Sequence, residues 1–259
     1  MDLGVHLPLT NPQPRLRAVV ETARDCGFAA VSANDHLEFR GPWLDGPTAL
    51  ASVIDASEGM TLAMTAALPV VRGPVALAKA LAAIDLLSGG RLIAALAPGS
   101  SERDYELAGI PFEERWRRFD EALVVMRAEL PLPLWVASWG SPAGLRRVVQ
   151  YGDGWLASAY NTTPERFAAA REQLPDGFPN ALATMWTYVC DDPDRVLRDV
   201  LGPLVGRDPE ELRDRVCVGP PEYCADLLSR YAAAGCQRVY LWPLGDEQRQ
   251  LERISAAAA

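Results

Sequence analysis

Short apolar runs alternate along this chain with stretches whose apolar residues return every three or four positions, which predicts strand followed by helix throughout. Leu3–Pro8 reads as a strand. Pro14–Cys26 reads as a helix, because Leu16, Val19, Val20 and Ala23 share one face and Gly27 supplies the stop. Ala29–Asn34 is the second strand, followed by a loop containing Gly41-Pro42-Trp43 and a helix over Thr48–Ser57. Met60–Leu68 and Arg91–Ala97 are the third and fourth strands. Their helices are Val75–Leu87, ended by Gly89-Gly90, and the strongly amphipathic Glu113–Glu129. Leu134–Ser138 with Ser141–Tyr151, Gly154–Ser158 with Pro164–Leu174, and Ala181–Cys190 with Pro193–Leu201 continue the pattern. Further helical stretches over Pro209–Arg215 and Pro221–Ala234 belong to the seventh crossover, before strand Arg238–Pro243 and helix Asp246–Ala257. The terminal Ala256–Ala259 is expected to fray.

Eight strands, each followed by helix, predict one α/β domain over 1–259, a (β/α)8 TIM barrel with shortened insertions. An open doubly wound sheet is the alternative, but no G-x-G-x-x-G follows the first strand. In a barrel the chemistry gathers where strands end and the following loops begin. That rule selects Pro8 and Leu9; Asn34, Asp35 and His36; Ala66 and Ala67; Pro98, Gly99 and Ser100; Ser138 and Trp139; Ser158 and Tyr160; Cys190; and Trp242.

Composition narrows the field. Hydrophobic residues at 49% and charged residues at 23% are the balance of a water-soluble globular protein, and no apolar run approaches the ~20 residues of a membrane span. Met1-Asp2 leads straight into the first strand and does not read as a signal peptide. A net charge of −9 repels phosphate backbones and anionic membranes, which argues against nucleic-acid or membrane partners. The 5 cysteines are odd in number and contain no C-x-x-C pair, so free thiols in a reducing, cytoplasmic compartment are expected, with no metal site.

The strand-end inventory disfavours several barrel chemistries. A Schiff-base mechanism needs a strand-end lysine, and Lys79, the one lysine of the chain, falls inside a helix. The 2 histidines, His6 and His36, are too few for most metallohydrolase sites. Asp35 has no evident acidic partner for glycoside hydrolysis, and Gly140–Gly144 displaces its serine from the centre of a nucleophile elbow. What is left is a rim with few acids and bases, suited to an enzyme whose cofactor carries the difficult chemistry.

Several segments resemble the luciferase-like flavin oxidoreductases. They are Asn34-Asp35-His36-Leu37 after the second strand and Leu77-Ala78-Lys79 through Leu86-Leu87-Ser88-Gly89-Gly90-Arg91-Leu92. Ile110–Arg115 continuing to Arg118–Leu123, Leu134-Trp135-Val136, Ser141-Pro142-Ala143, Gly152–Trp155, Gly219–Glu222 and Val239–Pro243 complete the set. The resemblance covers nearly the whole chain. It implies a flavin (FMN) or the deazaflavin coenzyme F420 at the C-terminal rim, and a small-molecule substrate. The family often forms dimers, so a homodimer is the assembly it implies. The cofactor ring would lie over a bulge, often with a non-proline cis peptide, at Ala66-Ala67. Gly99 would be the retained glycine of the turn after strand four, and Ser138, Gly140 and Ser141 at a helix start would meet the cofactor phosphate. His36 would be the proton donor or substrate contact, with Asp35 beside it. An ordinary helix N-cap explains Ser141 equally well. Ser100 and Asp104 face either pocket or solvent, and Trp135, Trp155 and Trp242 read mostly as core.

Three departures from the family pattern matter. Pro98 stands in the turn after strand four and offers no N–H. Arg72 is followed by Gly73 where the family has histidine. The connection from Met126–Glu129 to Leu134 is very short, and the crossover after strand seven starts its helix almost at once. A thinly covered pocket protects an oxygenated intermediate poorly. Hydride transfer with a deazaflavin is therefore the first reading, FMN-dependent monooxygenation the second, and a non-catalytic flavin- or partner-binding barrel the third.

Overall fold

The computed structural model describes residues 1–9, 15–39 and 43–258. Pro14 as helix start, the Gly41-Pro42 loop and the end of the terminal alanine run lie outside the described residues. Nine parallel strands are present: β1 (Asp2–His6), β2 (Ala30–Ala33), β3 (Thr61–Ala67), β4 (Leu92–Leu96), β5 (Leu134–Ala137), β6 (Gly154–Ser158), β7 (Asn180–Val189), β8 (Cys217–Gly219) and β9 (Arg238–Pro243). Consecutive strands pair from β1 to β7, β7 pairs with β9, and β9 pairs with β1, which closes an eight-stranded parallel barrel with helices around it. β8 was not foreseen; it is a three-residue strand that lengthens the edge of β7 at Thr187–Val189 outside the ring.

The barrel interior is filled by few side chains of unequal size. Ala30, Ala63, Ala95, Ala181 and Ala183 leave room for Trp135 and Tyr240 in one small cluster. Gly4, directly opposite Tyr240 in the ladder, has no alternative there, since a Cβ would sit 2.6 Å from the Tyr240 ring. Large against small at facing positions is how a barrel fills without a void. The main apolar core lies between the outer faces of the strands and the helices, through residues such as Val5, Leu62, Leu96, Val136 and Leu182.

Helix boundaries follow local chemistry. Ser141 and Thr163 accept backbone N–H bonds at the starts of Pro142–Tyr151 and Pro164–Arg171, each with proline in the first turn. Gly89, left-handed at φ 75°, ends Pro74–Ser88. Two short helices, Pro69–Arg72 and Glu102–Ala108, lie in what the sequence presents as loops.

Two strand ends are irregular. Between β3 and β4 the register shifts at Thr65/Ala67, where the Thr65–Ala66 peptide is cis. Between β7 and β9 it shifts between Leu182 and Met185, and Thr184 sits there at φ 56°, an uncommon region for a β-branched residue.

Candidate active site at the barrel mouth

Three connected hollows open at the C-terminal ends of the strands. A floor of about 120 Å³ is bordered by Asn34, Asp35, His36, Thr65, Ala66 and Gly99, with Ser138 and Thr184. A basin of about 830 Å³ extends from it towards Trp43, Trp186 and Trp242, and a groove of about 390 Å³ leaves on the other side past Ser138, Ser141 and Arg115. Ser100 and Trp139 border all three, and Trp139 is 60% exposed. Among the described residues, no side chain plugs the hollow.

The predicted residues divide on inspection. His36, Asp35, Ala66, Gly99 and Ser138 converge on the floor, and Ser141 lies in the groove. Ala67 points the other way and is sealed in the outer core, its carbonyl accepting the Ala97 N–H at 3.0 Å. Alternation along β3 explains this, since neighbouring residues face opposite sides of a strand. Gly140, left-handed at φ 88°, gives its N–H to the Ser138 hydroxyl at 3.2 Å, and the Ser141 hydroxyl caps Gly144 N–H at 3.2 Å. Both serine hydroxyls therefore hold backbone donors at the mouth of this helix.

His36 is the best-placed acid–base group. Its Nδ1 lies 2.7 Å from Asp104 Oδ2, while Asp104 Oδ1 accepts the N–H groups of Leu37 (2.8 Å) and Glu38 (3.2 Å). Asp104 is buried at 1% exposure, so the pocket-or-solvent alternative resolves into neither: it is the internal partner of His36. A carboxylate on Nδ1 fixes the ring orientation and, in the neutral ring, puts the proton on Nδ1. Nε2 is then left as the acceptor at the junction of floor and basin, where Phe39 stacks on the imidazole at 4.8 Å.

Asp35, by contrast, is fully engaged. Arg72 binds both its oxygens at 2.6 Å and reaches Asp45 at 2.5 Å, and Leu68 N–H adds a further bond at 3.2 Å. Burial pulls the Asp45 carboxyl up, but Thr48 and Arg72 outweigh it and hold it below the usual range. A bidentate arginine pair of this kind braces a loop and leaves no lone pair idle for proton transfer. His6, the other histidine, lies inside the barrel, stacked on Trp242 at 3.7 Å with Nδ1 on the Leu7 carbonyl. Burial pushes its pKa down to about 3 against the pull of that carbonyl.

Thr184 had no signal in the sequence, whereas Ser158 and Tyr160 were among the strand-end candidates. Thr184 shares a 2.8 Å hydrogen bond with Ser158 and stands at the irregular end of β7. Tyr160 borders floor and basin; burial pushes its phenol up, with Arg207 opposing, so it stays neutral. Trp155 is core as expected, with its indole N–H on the Ser138 carbonyl at 2.9 Å, whereas Trp242 is core and basin wall at once.

The expected short connection before β5 is present, since helix Arg115–Glu129 ends four residues before Leu134. The crossover after β7 needs correction. It folds back through Pro193–Val205 and Pro209–Leu212 and lays Val205, Gly206, Arg207, Asp208 and Glu211 along the basin. Val196, Leu197, Leu201 and Leu212 seal this segment onto Trp186 and Trp242. One side of the mouth is therefore walled.

Comparison with known proteins agrees with this architecture. The chain is 28% identical over 207 residues to an F420-dependent hydroxymycolic acid dehydrogenase of Mycobacterium tuberculosis (strain ATCC 25618 / H37Rv), an alignment covering 64% of this chain and 56% of that protein. The chain thus aligns with little more than half the length of that curated relative. An F420-dependent secondary alcohol dehydrogenase, solved with an F420–acetone adduct, superposes with a TM-score of 0.82 at 17% identity, covering 100% of this chain and 99% of that one. The monooxygenase RslO1 from Streptomyces bottropensis superposes with a TM-score of 0.78 at 18% identity, covering 99% and 98%. Residues 1–131, just over half of the 259, match the family model for luciferase-like monooxygenases. The chain belongs to the luciferase-like monooxygenase family.

Proposed function

We propose that this chain, acting as one luciferase-like barrel over 1–259, is an oxidoreductase that transfers hydride between the deazaflavin coenzyme F420 and a small organic substrate. The observation that carries the reading is the His36–Asp104 pair standing where floor and basin meet. The residues present fit a heteroaromatic cofactor: Thr65 Oγ1 is buried at the floor with no hydrogen-bond partner among the described residues. Orphaned buried polar atoms are rare and costly unless something completes them. Ala66 and Gly99 would support the ring, and Ser138 and Ser141, at a helix start beside Arg115, would receive the phosphate end, with Gly140, its N–H held by Ser138, shaping the turn between them. Arg115 is bonded to the Phe112 carbonyl at 3.1 Å, and among the described residues no carboxylate lies within ion-pair distance of it.

When bound, the cofactor supplies the hydride acceptor or donor. The chain's own residues supply the proton chemistry and the placement. His36 Nε2 takes the proton from a substrate hydroxyl, or returns one to a carbonyl oxygen, with Asp104 stabilising the imidazolium through Nδ1. Asp35 acts as a brace, because Arg72 ties it to Asp45 and so fixes the loop that carries His36. The wall formed by the β7 crossover favours a second reading, FMN-dependent monooxygenation, more than the sequence alone did. The family's dimers, the charge of −9 and the five free thiols support a cytoplasmic enzyme, pairing as a homodimer and not contacting nucleic acid. No helix among the described residues is long and apolar enough to cross a membrane.

The deciding measurement is a titration of the purified protein with each cofactor, followed by absorbance and by reduction with candidate alcohols. Tighter binding and reduction of the deazaflavin is the expected result. Tighter binding of FMN with oxygen uptake would reverse the order, and binding of neither would end the redox account.

A further inference from the structure

We infer that the hydroxyl pair Ser158–Thr184 donates a hydrogen bond to a ring carbonyl oxygen of the cofactor on the barrel floor, and that Asn161 and Arg207 are positioning residues that set its direction. The identity of the ring rests on the redox reading, whereas the direction of the bond rests on this chain alone.

The strands bring the pair to the floor. Leu156 belongs to the cluster inside the barrel while Trp155 and Ala157 belong to the outer core, so alternation along β6 turns Ser158 inwards at the end of its strand. Ala181 and Ala183 face inwards on β7, and plain alternation would send Thr184 outwards. The register shift between Leu182 and Met185, with Thr184 left-handed at φ 56°, breaks that alternation. Thr184 Oγ1 thereby meets Ser158 Oγ at 2.8 Å, and both residues border the floor. On the opposite side of the ring of strands, Thr65 Oγ1 is buried at the same floor with no partner among the described residues. Hydroxyls at two facing edges suit a flat ring with polar atoms on its rim.

Counting hydrogens gives the direction. Arg207, on the β7 crossover, gives an N–H to Asn161 Oδ1 at 2.7 Å. Arginine only donates, so the amide oxygen faces it and Asn161 Nδ2 is left to donate to Ser158 Oγ at 3.0 Å. Ser158 receives that bond and passes its own O–H to Thr184, because hydrogen bonds running head to tail strengthen one another. The Thr184 O–H is then spare, with no acceptor among the described residues, and the floor is where it can be used.

The test is a titration of the purified protein with the deazaflavin and with FMN at about pH 8, followed by absorbance, for the parent and three variants. Thr184→Val removes the donor and should weaken binding about threefold to tenfold and displace the absorption maximum of the bound ring. Thr184→Ser should restore both. Asn161→Asp is the sharper change, at a residue that does not border the floor. A carboxylate only accepts, so Ser158 turns its O–H to it, Thr184 gives its own to Ser158, and no hydrogen remains for the ring. This variant should reproduce the Thr184→Val displacement, with a melting midpoint no lower than the parent's, since Arg207 gains an ion pair. Thr184→Val adds no charge, so agreement of the two separates a lost donor from an added carboxylate. Identical absorption maxima in all bound forms overturn the inference and leave the redox reading intact, as does weakened binding that Thr184→Ser does not rescue. Failure of the parent to bind either cofactor removes the redox reading and the inference together. The expected displacements in a protein without turnover uphold the inference and remove the catalytic reading.

Discussion

The two histidines of this chain occupy neighbouring strands and opposite environments. His6 lies on β1 beneath the mouth, 1% exposed and stacked on Trp242, in a region where the side chains pack against one another and exclude water. His36 follows β2 at the rim, with a buried carboxylate on one nitrogen and an open basin on the other side. The same side chain is a neutral packing ring in the first place and, in the reading proposed above, the proton carrier in the second. The difference teaches that position on the strand, one turn of chain below the rim or just beyond it, decides which of the two a histidine becomes.

The largest expected effect separates these roles directly. His36→Ala should lower kcat by about 10²- to 10⁴-fold with cofactor affinity retained. Asp104→Asn should cost a smaller factor, about 10- to 100-fold in kcat with KM unchanged, because an amide no longer fixes one ring orientation. Steady-state kinetics check both. Retention of kcat in His36→Ala would make the rim histidine as structural as the buried one.

His6 should show itself through pH and stability instead. Its folded pKa, about 3, is depressed below the ordinary 6.5, so below pH 6.5 the unfolded chain takes up a proton that the folded chain refuses. Its contribution is therefore full above pH 6.5 and is lost on acidification, at about 1.4 kcal/mol per pH unit, down towards pH 3. His6→Phe keeps a flat ring on Trp242 but cannot titrate. Urea denaturation between about pH 6.5 and 4.5 should show a loss of stability smaller by about 2 kcal/mol over that interval in the variant. An unchanged slope would mean that His6 is not sealed from protons.

The smallest change tests the same packed region at its tightest approach. Gly4→Ala places a methyl 2.6 Å from the Tyr240 ring and should cost about 1–3 kcal/mol, read as a lowered denaturation midpoint. Activity per folded molecule should stay close to that of the parent, since the rim lies above this layer. A large loss of kcat would show that the two regions are mechanically coupled.

The barrel was legible because most strands are short apolar runs bounded by glycine, proline or polar residues, and the long helices run far enough for their apolar faces to repeat. The pieces that escaped are short. Pro69–Arg72, Glu102–Ala108 and β8 span two turns or fewer, or three residues, too little for a periodic pattern to register. At the site, His36, Ala66, Gly99 and Ser138 were findable from strand ends and resemblance. Asp104 was not assignable, because its partner lies 68 residues away and only the fold brings them together. The basin wall was only partly visible: Trp242 was a strand-end candidate, but Trp43 in a loop and Trp186 within a strand come from distant segments that only the fold brings to it. The covering by the β7 crossover was misjudged because loop length says little about the path a loop takes.

Tyr240 and Trp135 fill the barrel beneath the mouth, with glycines opposite both of them. Any guest must therefore come and go by a single door. A molecule on the floor is therefore reached from the rim alone and never through the staves of the barrel.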